Sequence, residues 1–279
     1  MNDITDFDIT KTYLAFLKDD KDMTMPIAAI ESLVSMLRIK QPSTSSELIN
    51  LVSKNIELLK SSIPNNISLS AGCDLFMRFV LRNTNIYKDW ESFSTNLVEN
   101  GELFVQRAKR SREKSAEFGI SFIKDDDVIL VHSYSRVVHS LLLKAKSKLI
   151  RFKVLITESR PTGNGFYMAN KLKEADIPCE VIVDNAVGYV LHKVDKVLVG
   201  AEGVAEGGII NHIGTYQIGC LSKINNKPFY VVTESHKFVR LFPLSPNDLP
   251  MNNNINLLQE QNNEHNLKET YFVDFTPHD

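Results

Sequence analysis

Apolar residues recur three and four positions apart through the first part of the chain, which is the spacing of one face of an α-helix. The segments with this pattern are 9–17, 25–37, 48–59, 68–82 and 87–118. Hydroxyl residues precede the third segment and can cap the start of a helix there. The pattern therefore predicts an N-terminal helical domain over residues 1–119.

After Gly119 the pattern changes to short β-branched runs separated by helical stretches. The runs are Asp127–Val131, Phe152–Thr157, Cys179–Val183, Lys196–Val199 and Pro228–Thr233. Each is apolar for most of its length, as is typical of parallel strands covered on both faces, and most intervals leave room for a crossover helix. We expect an α/β domain over residues 120–279, in which a Rossmann-like doubly wound parallel sheet follows the helical bundle. A polar surface loop is predicted for 249–269.

Composition narrows the classes of partner. The 32 Lys and Arg residues nearly balance 34 Asp and Glu residues, so no global field favours nucleic acid or an anionic membrane. Cys73, Cys179 and Cys220 are scattered and lack the spacing of a zinc site, which predicts no metal and no disulfide. No apolar run approaches the roughly 18 residues of a membrane span, and the acidic residues MNDITDFD lack the basic and apolar regions that we expect of a signal peptide. The expected location is the cytoplasm.

The loop after the second run combines Arg160 with Gly163 and Gly165. A guanidinium beside glycine amides at the start of a helix suits a phosphate. Alternatively, the glycines make a tight turn and Arg160 pairs with a nearby carboxylate. A dinucleotide site is a third interpretation, because Asp184 ends the next run, but Met168 stands where the third glycine of that fingerprint belongs.

Polar residues also follow the first and fourth runs. Ser133 lies beside His132, but neighbours along a strand point to opposite faces, so we interpret Ser133 as the cap of a helix that starts near Ser135. Glu202 lies in a glycine-rich segment that continues to Asn211. A carboxylate flanked by glycines at the end of a strand suggests a ligand site, and capping of main-chain amides is the structural alternative.

Several stretches together resemble one protein family. They are MTMPIAAIESLVSMLR, FMRFVLRN, VILVHSYSRVV, ITESRPTGNG, KVDKVLVGAEGVAEGGIINHIGT and NKPFYVVTESHKFVRLFPL. They resemble the family formed by the alpha, beta and delta subunits of eukaryotic translation initiation factor 2B, and ESHKFVRLFPL is typical of its alpha branch. The resemblance covers the chain from about Ile9 to its end.

The resemblance implies a helical domain followed by a Rossmann-like domain, without cofactor or enzymatic activity. It also implies a regulatory subunit of the guanine nucleotide exchange factor for initiation factor 2. Such a subunit homodimerises at the centre of a decamer with beta, gamma, delta and epsilon subunits, and helps to sense initiation factor 2 phosphorylated on its alpha subunit. Exchange itself belongs to the gamma and epsilon subunits.

The same fold is similar to ribose-1,5-bisphosphate and methylthioribose-1-phosphate isomerases, which place cysteine at the position of Ser133 and aspartate at that of Glu202. A serine hydroxyl lacks the accessible pKa of a thiol, and Glu202 is one methylene longer than aspartate. We therefore expect no catalytic residue, and a pocket that holds a sugar phosphate or a nucleoside monophosphate. The residues expected to bind it are Arg160, Gly163, Gly165, Ser133, Glu202 and Asn211. An active isomerase is the alternative.

One departure concerns the C-terminus. Members of the family continue beyond the position of Asp279 with a strand and a helix that add to the sheet and the dimer face. The resemblance therefore predicts either a shortened form or a weakened dimer.

Overall fold

The computed structural model describes residues 7–20, 23–63, 67–84, 90–243, 248–249 and 272–278, with side chains omitted for 90–95. The chain divides into two compact units. The first comprises residues 1–110 and 236–239, and the second comprises residues 111–235 and 240–279. Residues 250–271, which include most of the predicted polar loop, lie outside the described part.

The first unit is helical, as predicted. Its helices are α1 (Ile9–Asp19), α2 (Met25–Ile39), α3 (Ser45–Ser62), α4 (Ile67–Thr84) and α5 (Trp90–Gly119), the last of which continues into the second unit. The hydroxyl cap of α3 is confirmed, because the Thr44 side chain accepts a hydrogen bond from the Glu47 amide at 3.2 Å. A Cβ at Gly72 would lie 2.5 Å from the Pro26 carbonyl oxygen, so α4 packs closely on α2.

The second unit contains the predicted parallel sheet. In chain order its elements are β1 (Asp127–His132), α6 (Arg136–Ser147), β2 (Phe152–Thr157), α7 (Asn164–Glu174), β3 (Cys179–Ile182), α8 (Val187–Val190), β4 (Lys196–Val199), β5 (Gly203–Ala205), β6 (Gly208–His212), α9 (Thr215–Ile224), β7 (Phe229–Val231) and β8 (Val273–Pro277). The order β3-β2-β1-β4-β7 is that of a doubly wound sheet. All five strands are parallel, and successive strands are added on one side of β1 up to β3 and on its other side from β4 onward. The carboxyl ends of β1 and β4 therefore border the expected ligand crevice.

The glycine-rich segment after β4 contains two short strands that the sequence pattern did not predict. It forms the antiparallel hairpin β5–β6, which pairs with β8 in a second sheet of order β5-β6-β8. Glycine is required within it, because a Cβ at Gly208 would lie 2.1 Å from the Thr276 carbonyl oxygen. The hairpin was missed because its strands are short, and its partner strand is distant in sequence.

Among the described residues, no helix combines the length and the apolar character needed to cross a membrane.

Candidate functional site

The loop after β2 is held by Asp184. Its Oδ1 accepts a hydrogen bond from the Ser159 amide at 2.8 Å, and its Oδ2 accepts one from the Arg160 amide at 2.7 Å. Both carboxylate oxygens are therefore used by the main chain. The contacts assign Asp184 a structural role in this loop, which weakens the dinucleotide interpretation that reserves this carboxylate for a ribose hydroxyl.

The two glycines of this loop have steric roles. Gly163 adopts a left-handed conformation with φ +70°, and a Cβ at Gly165 would lie 1.9 Å from the Thr157 carbonyl oxygen. Their amides donate within the loop, from Gly163 to the Ser159 carbonyl at 2.8 Å and from Gly165 to the Glu158 carbonyl at 3.2 Å. These contacts are those of the tight turn that was the alternative to a phosphate cradle.

Arg160 is paired as that alternative predicts. Its Nε donates to Glu158 Oε2 at 3.0 Å, and its side chain remains 66% exposed. Nε carries one of the five guanidinium N–H donors, so this bond uses one donor of the five.

A buried histidine joins the first two strand ends. His132 Nε2 donates to the Ile213 carbonyl at 2.9 Å, because a carbonyl oxygen can only accept. Nδ1 must then accept the hydroxyl proton of Thr157, at 2.6 Å. Burial lowers the pKa of His132 to about 4, and the neighbouring His212 adds to the effect. The ring is therefore neutral near pH 7.

His212, at the end of β6, lies with its ring 5.4 Å from that of His132. Its Nε2 is 2.9 Å from Thr162 Oγ1, in the loop after β2. Burial lowers the pKa of His212, whereas the carboxylates of Asp184 and Glu202 act in the opposite direction. The hairpin is thus linked to the β2 loop through His212, and Glu202 belongs to the electrostatic surroundings of this ring.

Ser133 does not cap α6, contrary to the prediction. The N-cap is Ser135, whose side chain accepts from the Val138 amide at 3.4 Å. Ser133 is buried and has a φ of +61°, and Ser159 after β2 has a φ of +62°. Four further non-glycine residues, at positions 126, 149, 176 and 226, adopt the same left-handed conformation in turns away from this loop, so the conformation by itself does not mark a functional site.

Glu202 directly precedes the hairpin, and Asn211 lies in its second strand, β6. The Glu202 amide donates to the Ile210 carbonyl at 2.8 Å, which places this residue at the entry to β5. Asn211 is buried, and its Nδ2 donates to Thr215 Oγ1 at 3.0 Å, which in turn donates to the His212 carbonyl at 2.6 Å. Asn211 therefore stabilises the turn into α9.

The fold brings the predicted residues to neighbouring strand ends: Ser133 after β1, Arg160 with its glycines after β2, and Glu202 after β4. No cysteine follows these ends, because Cys73 lies in α4, Cys179 begins β3 and Cys220 lies in α9. The histidine pair was missed in the sequence. Its only signal there is His132, a polar residue that ends an otherwise apolar run.

Comparisons with known proteins agree on one family. The sequence model of the initiation factor 2 subunit family matches residues 18–279. Translation initiation factor eIF2B subunit alpha of Dictyostelium discoideum is 40% identical over 88% of this chain and 77% of its own length. Ribose 1,5-bisphosphate isomerase of Archaeoglobus fulgidus is 33% identical over 65% of this chain and 56% of its own.

A solved structure supports the same fold. The tetrameric eIF2B-beta2-delta2 complex from C. thermophilum contains a chain that aligns with a TM-score of 0.74 and 18% identity. The alignment covers 85% of this chain and 81% of the other.

Proposed function

The chain belongs to the initiation factor 2 subunit family, and we propose that it is a regulatory subunit of the guanine nucleotide exchange factor for translation initiation factor 2. The observation that carries this proposal is the 40% identity to the Dictyostelium alpha subunit over 88% of the chain. The relatedness extends through both units, because the family model spans residues 18–279.

The proposed partners follow from this relationship. The chain homodimerises, nucleates a decamer with beta, gamma, delta and epsilon subunits in the cytoplasm, and mediates the response to phosphorylated initiation factor 2. The named beta–delta complex among the structural relatives supports assembly with other subunits of the factor.

The site itself is proposed to bind without turnover. Ser133 offers a hydroxyl rather than a thiol, and the nearby His132 is held neutral with both ring nitrogens bonded to other groups. Ser133 and His132 are therefore not arranged as a pair that transfers a proton. The proposed ligand is a sugar phosphate or a nucleoside monophosphate, contacted by Arg160, Ser133 and Glu202. Gly163, Gly165 and Asn211 shape the loops around it.

Affinity purification of the tagged chain from its native cell extract tests the subunit role. We expect the other four subunits to be recovered, and we expect exchange on phosphorylated initiation factor 2 to change when the chain is depleted and added back. Recovery of the tagged chain alone, together with an unchanged exchange rate, would contradict the proposal.

Ligand binding is tested separately by thermal shift with ribose 5-phosphate and adenosine monophosphate. Arg160→Ala should reduce the shift. Arg151→Ala is the matched control, because Arg151 is exposed and pairs with Asp125 and Asp126 in another loop. Equal ligand-induced thermal shifts in the two variants would mean that Arg160 does not contact the ligand.

An active isomerase is the second candidate, favoured by the identity to the Archaeoglobus enzyme. Turnover of ribose 1,5-bisphosphate should be absent in the native chain. The double variant Ser133→Cys, Glu202→Asp restores the residue types of the isomerases. It tests whether the site can turn over this substrate once those two residues are present. Turnover by the native chain at the rate of an authentic isomerase would support the enzyme instead.

A further inference from the structure

Two histidine rings share one carbonyl oxygen beside the candidate site. The Ile213 carbonyl oxygen lies 2.9 Å from His132 Nε2 and 3.1 Å from His212 Nδ1. A carbonyl oxygen has two lone pairs and can only accept, so both rings donate to it through an N–H group. The tautomer of each neutral ring follows: His132 carries its proton on Nε2, and His212 carries its proton on Nδ1.

The hydrogen bonds around His132 are complete while its ring is neutral. Nδ1 accepts the hydroxyl proton of Thr157 at 2.6 Å. Ser159 Oγ lies 3.2 Å from Thr157 Oγ1 and can donate to it in turn. Each bond in this chain has a hydrogen of its own, so His132 needs no further proton.

The hydrogen bonds around His212 are incomplete while its ring is neutral. Nε2 lies 2.9 Å from Thr162 Oγ1, and Thr162 Oγ1 lies 3.1 Å from the Ser159 carbonyl oxygen. Three contacts therefore connect the Ile213 carbonyl, through His212 and Thr162, to the Ser159 carbonyl. They require three hydrogens, because both ends of the chain can only accept. The neutral ring and the hydroxyl supply two, and a proton added to His212 would supply the third.

The charges around His212 oppose one another. Burial lowers the pKa of His212, so the ring is neutral in the free protein near pH 7, whereas the carboxylates of Asp184 and Glu202 favour its cation. The other ionisable groups on the described elements around the ring are His132 on β1, the pair formed by Glu158 and Arg160 in the β2 loop, Tyr216 on α9 and Asp274 on β8. An additional negative charge in the β2 loop would favour the cation further.

The proposed phosphate would bring that charge. Thr162 stands between Arg160 and Gly163 in the loop that is proposed to contact it, and Thr162 is also the residue that His212 bonds. A phosphate monoester is a dianion above its second pKa of about 6. Its attraction for the cationic ring and the third hydrogen bond act in the same direction.

We propose that His212 takes up a proton when a phosphate monoester binds at the β2 loop, and thereby completes the hydrogen-bond chain through Thr162 to the Ser159 carbonyl. The inference rests on the proposed ligand site. It makes His212 a positioning residue, which acts through Thr162 and through its charge. Because the complex holds a proton that the free protein lacks, affinity falls as pH rises above neutrality, by at most about tenfold per pH unit for one proton.

Isothermal titration calorimetry with ribose 5-phosphate at pH 7.5 tests the proton uptake, in buffers of different ionisation enthalpy and with the full chain. The native chain should take up about 0.5 to 1 proton for each ligand bound, and its Kd should rise by roughly threefold to tenfold between pH 7.5 and pH 8.5. Titration of the ligand itself would release protons on binding of the dianion, so it has the opposite sign. His212→Gln should bind with proton uptake near zero and a Kd that is independent of pH in this range.

His192→Gln is the matched control and should behave like the native chain, because His192 is exposed and its Nδ1 donates to the Tyr189 carbonyl in the segment before β4. Binding without proton uptake by the native chain would overturn the role of His212 and leave the ligand site intact. Uptake that persists in His212→Gln would assign the proton to another group, such as Asp274, and would also overturn it. Absence of binding by the native chain at every pH would contradict the ligand site as well.

Nuclear magnetic resonance of the native chain gives a second test, which does not depend on the folding of a variant. In protein labelled with ¹⁵N-histidine, His212 should be the Nδ1–H tautomer when free and should carry protons on both nitrogens when ribose 5-phosphate is bound. His132 should remain the neutral Nε2–H tautomer in both states. A His212 ring that stays neutral in the complex would contradict the proposal.

Discussion

The loop after β2 and the turn into α9 are each organised by a carboxylate that accepts two main-chain amides, but they use its oxygens differently. Asp184 gives one oxygen to the Ser159 amide and the other to the Arg160 amide. Asp274, on β8, receives the Gly214 and Tyr216 amides on Oδ2 alone, at 2.8 and 3.0 Å. Its Oδ1 is buried without a hydrogen-bond partner among the described residues.

This difference determines how much each region depends on a charged side chain. An asparagine has a single acceptor oxygen, so it can replace a carboxylate that bonds through one oxygen but not one that bonds through two. Asp184 also fixes the left-handed Ser159 beside the candidate site. Asp274 instead attaches a strand that is distant in sequence to the start of α9.

The largest expected effect is in the β2 loop and comes from Gly165→Ala. The new Cβ would lie 1.9 Å from the Thr157 carbonyl oxygen, so backbone must move. We expect a loss of about 3 kcal/mol in the free energy of unfolding, measured with urea. Gly188→Ala is the control, because its Cβ would meet nothing within 4 Å. A loss below that of the control would mean that the loop relaxes freely.

The sequence predicts much of this fold because apolar runs record burial directly. Phe152–Thr157 and Lys196–Val199 have the bounds that the pattern predicts. The hairpin was missed because glycines at 203, 207 and 208 indicate a turn equally well, and nothing local reveals pairing with β8. The candidate residues were found at strand ends, but their contacts depend on neighbouring loops, which spacing in the chain does not encode.

Asp184 provides a second example of this limit. In the sequence it has the position of a ribose-binding carboxylate, whereas in the structure it accepts two amides of the adjacent loop. Ser133 provides a third, because two serines precede α6 and only the φ and hydrogen bonds of the structure distinguish the cap, Ser135, from its neighbour.

Asp184→Asn should have the next largest effect. The amide group would turn an N–H donor toward one of the two main-chain donors, and we expect a loss of about 2 kcal/mol in unfolding free energy. Asp176→Asn is the matched control, because Asp176 is 95% exposed and pairs with Lys146 only at 3.7 Å. If both variants unfold at the same urea concentration, the two-oxygen clamp does not stabilise the loop.

The same substitution at Asp274 should have the smallest effect near pH 7. The amide oxygen can take the position of Oδ2 and keep both bonds, and we expect a change within about 1 kcal/mol. The effect of Asp274→Asn is clearer in the pH dependence of the unfolding free energy. Burial raises the pKa of Asp274 to about 6, so its contribution to stability is present below its unfolded pKa of 3.8 and is lost as pH rises through about 6.

Asp274→Asn should therefore gain stability relative to the native chain between pH 4 and pH 7 when urea unfolding is followed across that range. The variant also exposes the opposite contribution of His132, whose pKa is lowered to about 4 by burial. Stability from the neutral ring is present above pH 6.5 and is lost as pH falls toward 4, so the variant should weaken steadily on acidification. A difference between the two proteins that stays constant with pH would mean that Asp274 titrates normally, and that the unused oxygen is reached by water.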